Sequence, residues 1–249
     1  MRYFIELSYN GKAYHGWQNQ PKDISVQEVV EKALTMLLKE TVSIMGAGRT
    51  DTGVHALQMF AHFDTDVIIN GTDLAFKLNA FLPKDIAIHT IFKVKNTAHA
   101  RFDAISRTYL YRIALKKDVF SFDNSFYVKQ DLNFERMNEA SGILFEYKDF
   151  QCFSKSNTDV KTYYCNIMKA TWTLENNELH FVIKADRFLR NMVRAIVGTI
   201  INIGLGKIAV EDMHTIIKSK NRSEAGFSVP AHGLYLTEVE YSNDIKIDE

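Results

Sequence analysis

Alternating apolar and polar residues predict most of the β-structure in this chain. At the N-terminus Tyr3, Ile5, Leu7 and Tyr9 occupy every second position, which is the period of a half-buried strand. The same reading predicts strands over 3–9, 58–64, 86–94, 109–115, 166–174, 179–185 and 233–241. The pair Asn176-Asn177 separates two of these segments and predicts a hairpin.

Apolar residues three and four positions apart predict five helices, over 26–38, 73–81, 134–145, 191–203 and 210–219. Ser25 and Glu28 form a capping-box sequence at the start of the first helix. Pro83 follows the second helix and predicts its end. The fourth helix carries a core stripe made of Val193, Ile196, Val197, Ile200 and Ile201.

Because strands and helices are mixed in both halves, the predicted fold class is α+β. We expect two loosely duplicated halves around antiparallel sheets with flanking helices. The join is predicted near residue 104, which divides the chain into 1–104 and 105–249. A total of 249 residues, 46% of them apolar, is enough for a sizeable core.

Composition favours a cytoplasmic protein without a membrane segment. The first ten residues lack an apolar block, and the longest apolar run, 195–205, is too short to span a bilayer. Only two cysteines, Cys152 and Cys165, are present, which favours a reducing compartment. Thirty basic residues balance thirty acidic ones, so the global charge shows no nucleic-acid footprint.

The sequence GRTDTGVH, residues 48–55, carries the most chemistry. Its Asp51-Thr52-Gly53 matches the tripeptide of aspartic proteases, but those enzymes need two aspartates that share one proton. No second such tripeptide occurs, so a protease would have to be a homodimer. Arg49, two residues away, favours an ionised Asp51 and therefore disfavours a shared proton.

Other motifs near Asp51 are incomplete. Gly46 and Gly48 resemble a phosphate-binding loop, but the third glycine of the dinucleotide fingerprint and the Gly-Lys of a P-loop are both missing. Asp64 and Asp66 have the spacing found in haloacid-dehalogenase-type phosphatases, without a second acidic pair for magnesium. The histidines form no metal-binding spacing, so we expect no metal site.

Two basic clusters lie beside aromatic residues, a combination that suits phosphates and unstacked bases. The first cluster comprises Lys184, Arg187, Arg190 and Arg194, with the last two expected on one helical face. The second comprises Arg101, Arg107, Arg112, Lys116 and Lys117, interleaved with Phe102, Tyr109 and Tyr111. An ordinary solvated surface would show the same residues, so each cluster alone leaves RNA binding open.

Five sequence blocks, in order along the chain, resemble those of the tRNA pseudouridine synthase A family. The blocks are YHGWQNQP (14–21), GAGRTDTGVHA (46–56), HARFDAISRTYLYRI (99–113), FLRNMVRAIVG (188–198) and GLYL (233–236). The aspartate block is highly specific, and the others are moderately so. Thr52 stands where alanine is commoner in the family, which is a small change.

The resemblance implies the pseudouridine synthase fold and the isomerisation of uridine to pseudouridine at nucleotides 38, 39 and 40 of the tRNA anticodon stem-loop. It also implies a homodimer that works without cofactor or metal. The reaction breaks the N1–C1′ bond, turns the uracil and rejoins it through C5. Since there is no net oxidation or hydrolysis, one ionised carboxylate suffices, either as nucleophile or as base on the sugar.

The family's functional residues map onto matching positions of this sequence. Asp51 corresponds to the catalytic carboxylate, and Arg49 to the arginine that helps displace the target base from its stack. Tyr109 corresponds to the tyrosine that packs on the uracil, where its phenol could also serve proton transfer. Arg194 corresponds to the basic residue that pairs with Asp51 and holds it ionised, so the resemblance implies catalytic roles for both. Two segments correspond to tRNA-contacting residues: Ala98, His99, Ala100, Arg101 and Phe102, and, less closely, Asn157, Thr158, Asp159, Val160 and Lys161.

Two alternatives stay open on sequence alone. A catalytically silent RNA-binding protein would share the fold, although the intact aspartate block disfavours it. A homodimeric aspartic protease would explain Asp51-Thr52-Gly53 but not Arg49. The neutral net charge further suggests that positive potential is confined to one groove.

Overall fold

A computed structural model of the chain describes residues 1–156 and 160–246. The chain divides into two compact units, of which the first comprises residues 1–106 and 236–249 and the second comprises 107–235. Unit 1 therefore contains the N-terminal half together with the C-terminal segment. Both units contain strands and helices, so the predicted α+β class is confirmed.

Unit 1 is built on strands in the order β4-β1-β3-β9, in which β1 is antiparallel to both β3 and β4 and the short β2 is antiparallel to β3. The strands are β1 (Arg2–Tyr9), β2 (Met45–Gly46), β3 (His55–Asp64), β4 (Ile86–Val94) and β9 (Leu234–Tyr241), of which β9 enters this unit at residue 236. Strand β1 lies between β3 and β4, so Ile5 pairs with both Ala61 and Ile91. Ile5 and Leu7 are fully buried, as the alternation predicts, but Phe4 on the opposite face is fully buried as well, so the strand is covered on both faces at this point.

Two helices belong to unit 1, α1 (Val26–Leu38) and α2 (Gly71–Phe81). The Ser25 hydroxyl accepts the Glu28 N–H at 3.1 Å, as the capping-box sequence predicts. The Glu28 carboxylate pairs with Lys32 one turn later. Asn70 caps α2 through the Asp73 N–H, so this helix begins two residues before the predicted start.

Unit 2 contains strands in the order β5-β8-β7. They are β5 (Ala104–Ala114), which enters this unit at residue 107, β6 (Phe126–Tyr127), β7 (Ile167–Glu175) and β8 (Glu178–Ala185). The predicted hairpin at Asn176-Asn177 is confirmed, because both residues adopt positive φ angles of 48° and 66° between β7 and β8. Strand β6 was not predicted; it pairs with β5 in parallel through two residues.

The helices of unit 2 are α3 (Phe134–Ile143), α4 (Met192–Gly204) and α5 (Asp212–Ser219). Nearly all of α4 is buried, including the whole predicted core stripe. Trp172 of β7 stacks on Phe181 of β8 with ring centroids 4.7 Å apart, and both side chains are buried. Helix α4 thus contributes aliphatic side chains and the hairpin contributes aromatic ones to the buried interior of unit 2.

Candidate active site

Asp51 lies in a loop between β2 and β3, called here the aspartate loop (residues 47–54). The segment that follows β1 holds this loop through main-chain hydrogen bonds. Trp17 N donates to Thr50 O at 3.4 Å, and Gly53 N donates to Tyr14 O at 3.3 Å. Within the loop, Val54 N donates to Asp51 O at 3.1 Å. The bonds fix the backbone on both sides of Asp51, so its carboxylate is attached to a well-defined frame.

Two glycines allow this close packing. Gly16 has φ 85°, and a Cβ on it would lie 2.3 Å from Thr50 O. Gly46 is the last residue of β2, directly before the loop. A Cβ on it would lie 2.3 Å from Trp17 Nε1. A side chain at either position would therefore separate the two segments. The 14–21 and 46–56 blocks thus form one structural element.

Tyrosine hydroxyls anchor the same frame. The Tyr9 hydroxyl and Thr50 Oγ1 lie 2.9 Å apart, immediately before Asp51. The Tyr14 hydroxyl donates to Asp85 Oδ1 at 2.7 Å, which ties the loop support to the residue before β4. Burial, followed by this hydrogen bond, raises the pKa of Tyr14, so the phenol stays protonated and keeps donating.

The loop presents its polar side chains to different degrees. Asp51 is half-buried, whereas Arg49 is exposed. Within residues 1–156 and 160–246 the Arg49 guanidinium makes no hydrogen bond or ion pair. A Cβ built on Gly48 would meet no atom of these residues within 4 Å. Gly48 and Arg49 therefore lie on a side of the loop that is not tightly packed against the described residues.

The segment of unit 1 that is predicted to contact tRNA, residues 98–102, lies in a loop called here the His99 loop (residues 98–103). Arg101 and Phe102 are exposed at its tip, Phe102 by 74%. The Arg101 guanidinium carbon lies 5.8 Å from the centroid of the Phe102 ring. Ala98 and Ala100 are buried, so only part of the predicted five-residue segment can contact a ligand directly. A cation beside an exposed aromatic ring suits a nucleic-acid strand.

Unit 2 contains the remaining predicted site residues. Tyr109 lies on β5, half-buried, with its ring perpendicular to that of Phe188 at 5.2 Å. Arg194 lies on α4, where its Nε donates to Val229 O at 2.7 Å and its carbonyl accepts the Val229 N–H. These contacts orient both side chains from well-packed elements.

One expectation for the basic cluster of unit 2 is wrong. Asn191 was predicted as the first residue of the helix, but it has φ 69° and α4 begins at Met192. Arg190 therefore precedes the helix, and it does not share a helical face with Arg194. Left-handed backbone at asparagine is common enough to break a helical register, but apolar periodicity does not reveal it.

The less closely matched of the two segments predicted to contact tRNA comprises residues 157–161. Asn157, Thr158 and Asp159 lie outside the residues that the structure describes. Val160 is half-buried and Lys161 is exposed.

Two buried histidines accept main-chain hydrogen bonds. Nδ1 of His55 accepts the Gly11 N–H at 3.1 Å, and Nδ1 of His62 accepts the Ala100 N–H at 3.1 Å. In the described part of the chain, no group of three or more His, Cys, Asp or Glu side chains could hold a metal ion. Cys152 and Cys165 are buried free thiols, and burial raises the pKa of each to about 12.

Comparison with known proteins identifies the family. A family model described as tRNA pseudouridine synthase matches residues 7–103 and 147–242, which include the aspartate loop and Arg194. This chain belongs to the tRNA pseudouridine synthase family. Tyr109 falls between the two matched segments.

Curated relatives named tRNA pseudouridine synthase A match along nearly the full length. One from Azobacteroides pseudotrichonymphae is 52% identical over 242 residues, which cover 97% of each chain. One from Parabacteroides distasonis is 51% identical, covering 98% of this chain and 97% of that protein. One from Bacteroides thetaiotaomicron is 50% identical, covering 100% of this chain and 93% of that protein.

Family membership confirms the pseudouridine synthase fold that the sequence blocks implied, and it decides against the aspartic protease alternative. No helix in residues 1–156 and 160–246 is long and apolar enough to cross a membrane. Sequence reasoning did not assign roles to Tyr14, Gly16, Trp17 and His62, which support the two loops. The resemblance to the 14–21 block was a signal for the first three, but their contacts join segments about 35 residues apart and become visible only in the fold.

Proposed function

We propose that this protein isomerises uridine to pseudouridine at nucleotides 38, 39 and 40 of the tRNA anticodon stem-loop, with Asp51 as the catalytic carboxylate. The observation that carries the proposal is the aspartate loop. It holds a half-buried carboxylate on a fixed backbone, two residues after an exposed Arg49. Family membership supplies the reaction class.

The chemistry requires the carboxylate in its ionised form. Asp51 either attacks the nucleotide covalently or removes a proton from the sugar, and the N1–C1′ bond then breaks. After the uracil turns, C5 bonds to C1′; in the first route this displaces Asp51 from the sugar, and in the second the sugar recovers the proton that Asp51 removed. The C5 proton then leaves and N1 gains one, so the product is an isomer of the substrate. Both routes need a negative charge at one position, so both predict that Asp51→Asn is inactive.

Arg49 is proposed to fill the space that the target base leaves in the stack. Unstacking costs a few kcal/mol, and a planar cation that replaces the base recovers part of that cost. Its exposure and its lack of partners in the described residues support this role, because no existing contact has to break first.

Tyr109 is proposed to pack on the target uracil. Arg194 is proposed to pair with Asp51. The support is the family resemblance together with the anchoring of each side chain in unit 2. The His99 loop and residues 157–161 are proposed to contact the tRNA. We further propose a cytoplasmic homodimer that needs no cofactor.

The test is tritium release from tRNA labelled at C5 of uridine, because forming the C5–C1′ bond expels that hydrogen. Wild-type protein should release tritium, and Asp51→Asn should reduce the rate by at least about a thousandfold, the scale expected when a catalytic group is lost. Asp66→Asn, an exposed aspartate of the same unit, is the matched control and should retain the wild-type rate.

A chelator added to the wild-type reaction should leave the rate unchanged. Retention of activity in a clean Asp51→Asn preparation would refute the assignment of the carboxylate. Binding of tRNA without any release by the wild-type protein would instead favour the silent RNA-binding alternative.

A further inference from the structure

The backbone N–H groups of the His99 loop are satisfied in an unusual way. Six successive N–H groups, from residue 98 to residue 103, all have acceptors. Lys95 O, Asp103 Oδ2 and His99 O accept those of Ala98, His99 and Asp103. The other three N–H groups donate to imidazole nitrogens.

Two histidines supply these acceptors. Nδ1 of His62, a buried residue of β3, accepts the Ala100 N–H at 3.1 Å. Nδ1 of His99 accepts the N–H groups of Arg101 at 3.1 Å and Phe102 at 3.3 Å. Because a main-chain N–H can only donate, both Nδ1 atoms must be unprotonated, whereas an imidazolium has no acceptor at either nitrogen.

The two rings are also in contact with each other and with the tip of the loop. Their centroids lie 4.6 Å apart in an edge-on arrangement, and the His99 ring lies 4.2 Å from that of Phe102. The His62 ring stacks on Phe4 of β1 at 6.1 Å. A continuous line of rings therefore runs from the core of unit 1 to the exposed Phe102.

The charges around this pair favour the neutral form. Burial, then the Arg2 guanidinium and His99, lowers the pKa of His62 to about 4, against the opposing effects of Asp64 and Asp103. Burial, then Arg2, also lowers the pKa of His99, again against Asp103, and Arg101 adds to the lowering. Arg2 itself donates to Ala98 O at 2.9 Å and is paired with Asp64.

We propose that His62 and His99 are positioning residues for tRNA binding: as neutral acceptors they fix the backbone of the His99 loop so that Arg101 and Phe102 are presented to the RNA. The proposal rests on the proposed function, since it assumes that this loop contacts tRNA. It adds a role for His62, which is buried and has no access to a ligand itself. It also predicts that protonation loosens the loop and weakens RNA binding.

The test compares an acceptor-deleting with an acceptor-retaining substitution. Leucine removes the acceptor at similar volume. Asparagine places an oxygen near the position of Nδ1, and its side chain does not titrate. Each of His62 and His99 is changed to Leu and to Asn. His89→Leu and His89→Asn, at an exposed position of β4, are the matched controls.

Two quantities are measured: the Kd for a fluorescent anticodon stem-loop RNA, and the single-turnover rate at saturating RNA. His62→Leu should weaken binding about tenfold, the effect of losing the acceptor of a buried N–H. His99→Leu should weaken binding by less, because water can replace the acceptor at the exposed N–H groups of Arg101 and Phe102. The saturating rate should change much less, because the aspartate loop is untouched. The Asn variants should recover most of the affinity.

The pH dependence separates positioning from general destabilisation. Wild-type affinity should fall between about pH 6.5 and about pH 4 more steeply than that of His62→Asn and His99→Asn, since each asparagine variant lacks one of the two imidazoles that take up a proton in this window. Wild-type Kd values for the Leu variants, or no rescue by Asn, would overturn the proposal. If His62→Leu is unfolded, the His99 variants and the pH profile of His62→Asn still decide it.

Failure of the proposed function is distinguishable. A wild-type protein that does not release tritium refutes the function, whatever the histidine variants do. A wild-type protein that releases tritium, with histidine variants that bind like wild type, refutes only the positioning role.

Discussion

The two loops of unit 1 reach a fixed conformation by different means. The aspartate loop is held mainly by main-chain hydrogen bonds to residues 14–17 and by glycines that let the segments touch. The His99 loop is held mainly by side chains, those of Arg2, His62, His99 and Tyr241. The aspartate loop should therefore be sensitive to substitutions that add atoms. The His99 loop should instead be sensitive to substitutions that remove side-chain atoms and to protonation of His62 and His99.

The largest effect is expected from adding one methyl group under the aspartate loop. Gly16→Ala puts a Cβ 2.3 Å from Thr50 O at a residue with φ 85°. We expect a loss of about 3 kcal/mol or more in the free energy of unfolding, from combined strain and overlap. The tritium-release rate should fall by about a hundredfold, because Asp51 moves with the backbone.

Urea unfolding and the tritium assay measure the two effects. Gly48→Ala is the matched control for stability, since a Cβ there meets no described atom within 4 Å. Equal unfolding free energies for the Gly16 and Gly48 variants would show that the close approach at Gly16 does not fix the loop.

The next largest effect on stability is expected from protonation of His62, which accepts a hydrogen bond from the His99 loop. The pKa of His62 lies near 4 in the folded protein, below the ordinary value of 6.5. As the pH falls from about 6.5 to about 4, the unfolded chain takes up the proton before the folded chain does. The free energy of unfolding is therefore constant above about pH 6.5 and decreases toward pH 4. The loss attributable to His62 should be on the order of 2 kcal/mol.

Urea unfolding of wild type and His62→Asn at several pH values in that window measures this loss. The free energy of the asparagine variant should depend less on pH, and the difference between the two curves isolates His62. Parallel curves would mean that protonation of His62 is not coupled to folding.

The smallest effect is expected from Arg2→Met. The ion pair with Asp64 involves a carboxylate that is 61% exposed, so solvent screening leaves it worth less than about 1 kcal/mol. The hydrogen bond to Ala98 O adds about 1 kcal/mol, for a total of about 1–2 kcal/mol in unfolding free energy. The affinity for the stem-loop RNA should fall a few-fold.

Lys77→Met is the control, because Lys77 and Asp73 form an exposed pair one helical turn apart in α2. Its effect should stay below about 0.5 kcal/mol. Similar RNA affinities for the two variants would mean that Arg2 does not act on the His99 loop.

Local patterns predicted most of the secondary structure because their causes are local. Alternation predicted β1, and the Ser25 cap predicted the start of α1, since both depend on residues within one strand or one turn. The left-handed Asn191 and the two-residue strand β6 were missed, because neither changes the apolar periodicity. The return of the last strand to unit 1 depends on long-range pairing, which periodicity does not encode.

For the site, the sequence blocks identified the chemical groups but not what supports them. Asp51 and Arg49 stand out by their motif, and their roles remain predictions. Gly16, Trp17 and His62 act through contacts with residues far along the chain, so their functions could be inferred only from the fold.

The buried cysteines make this protein convenient for site-specific labelling. With both thiol pKa values near 12, less than about one thiol in ten thousand is ionised at neutral pH, and both are shielded from reagents. A single cysteine introduced at an exposed position such as Ile68, which is 85% exposed, would be the one that reacts with a maleimide dye. Fluorescence studies of RNA binding could then start from the natural sequence, without first replacing Cys152 and Cys165.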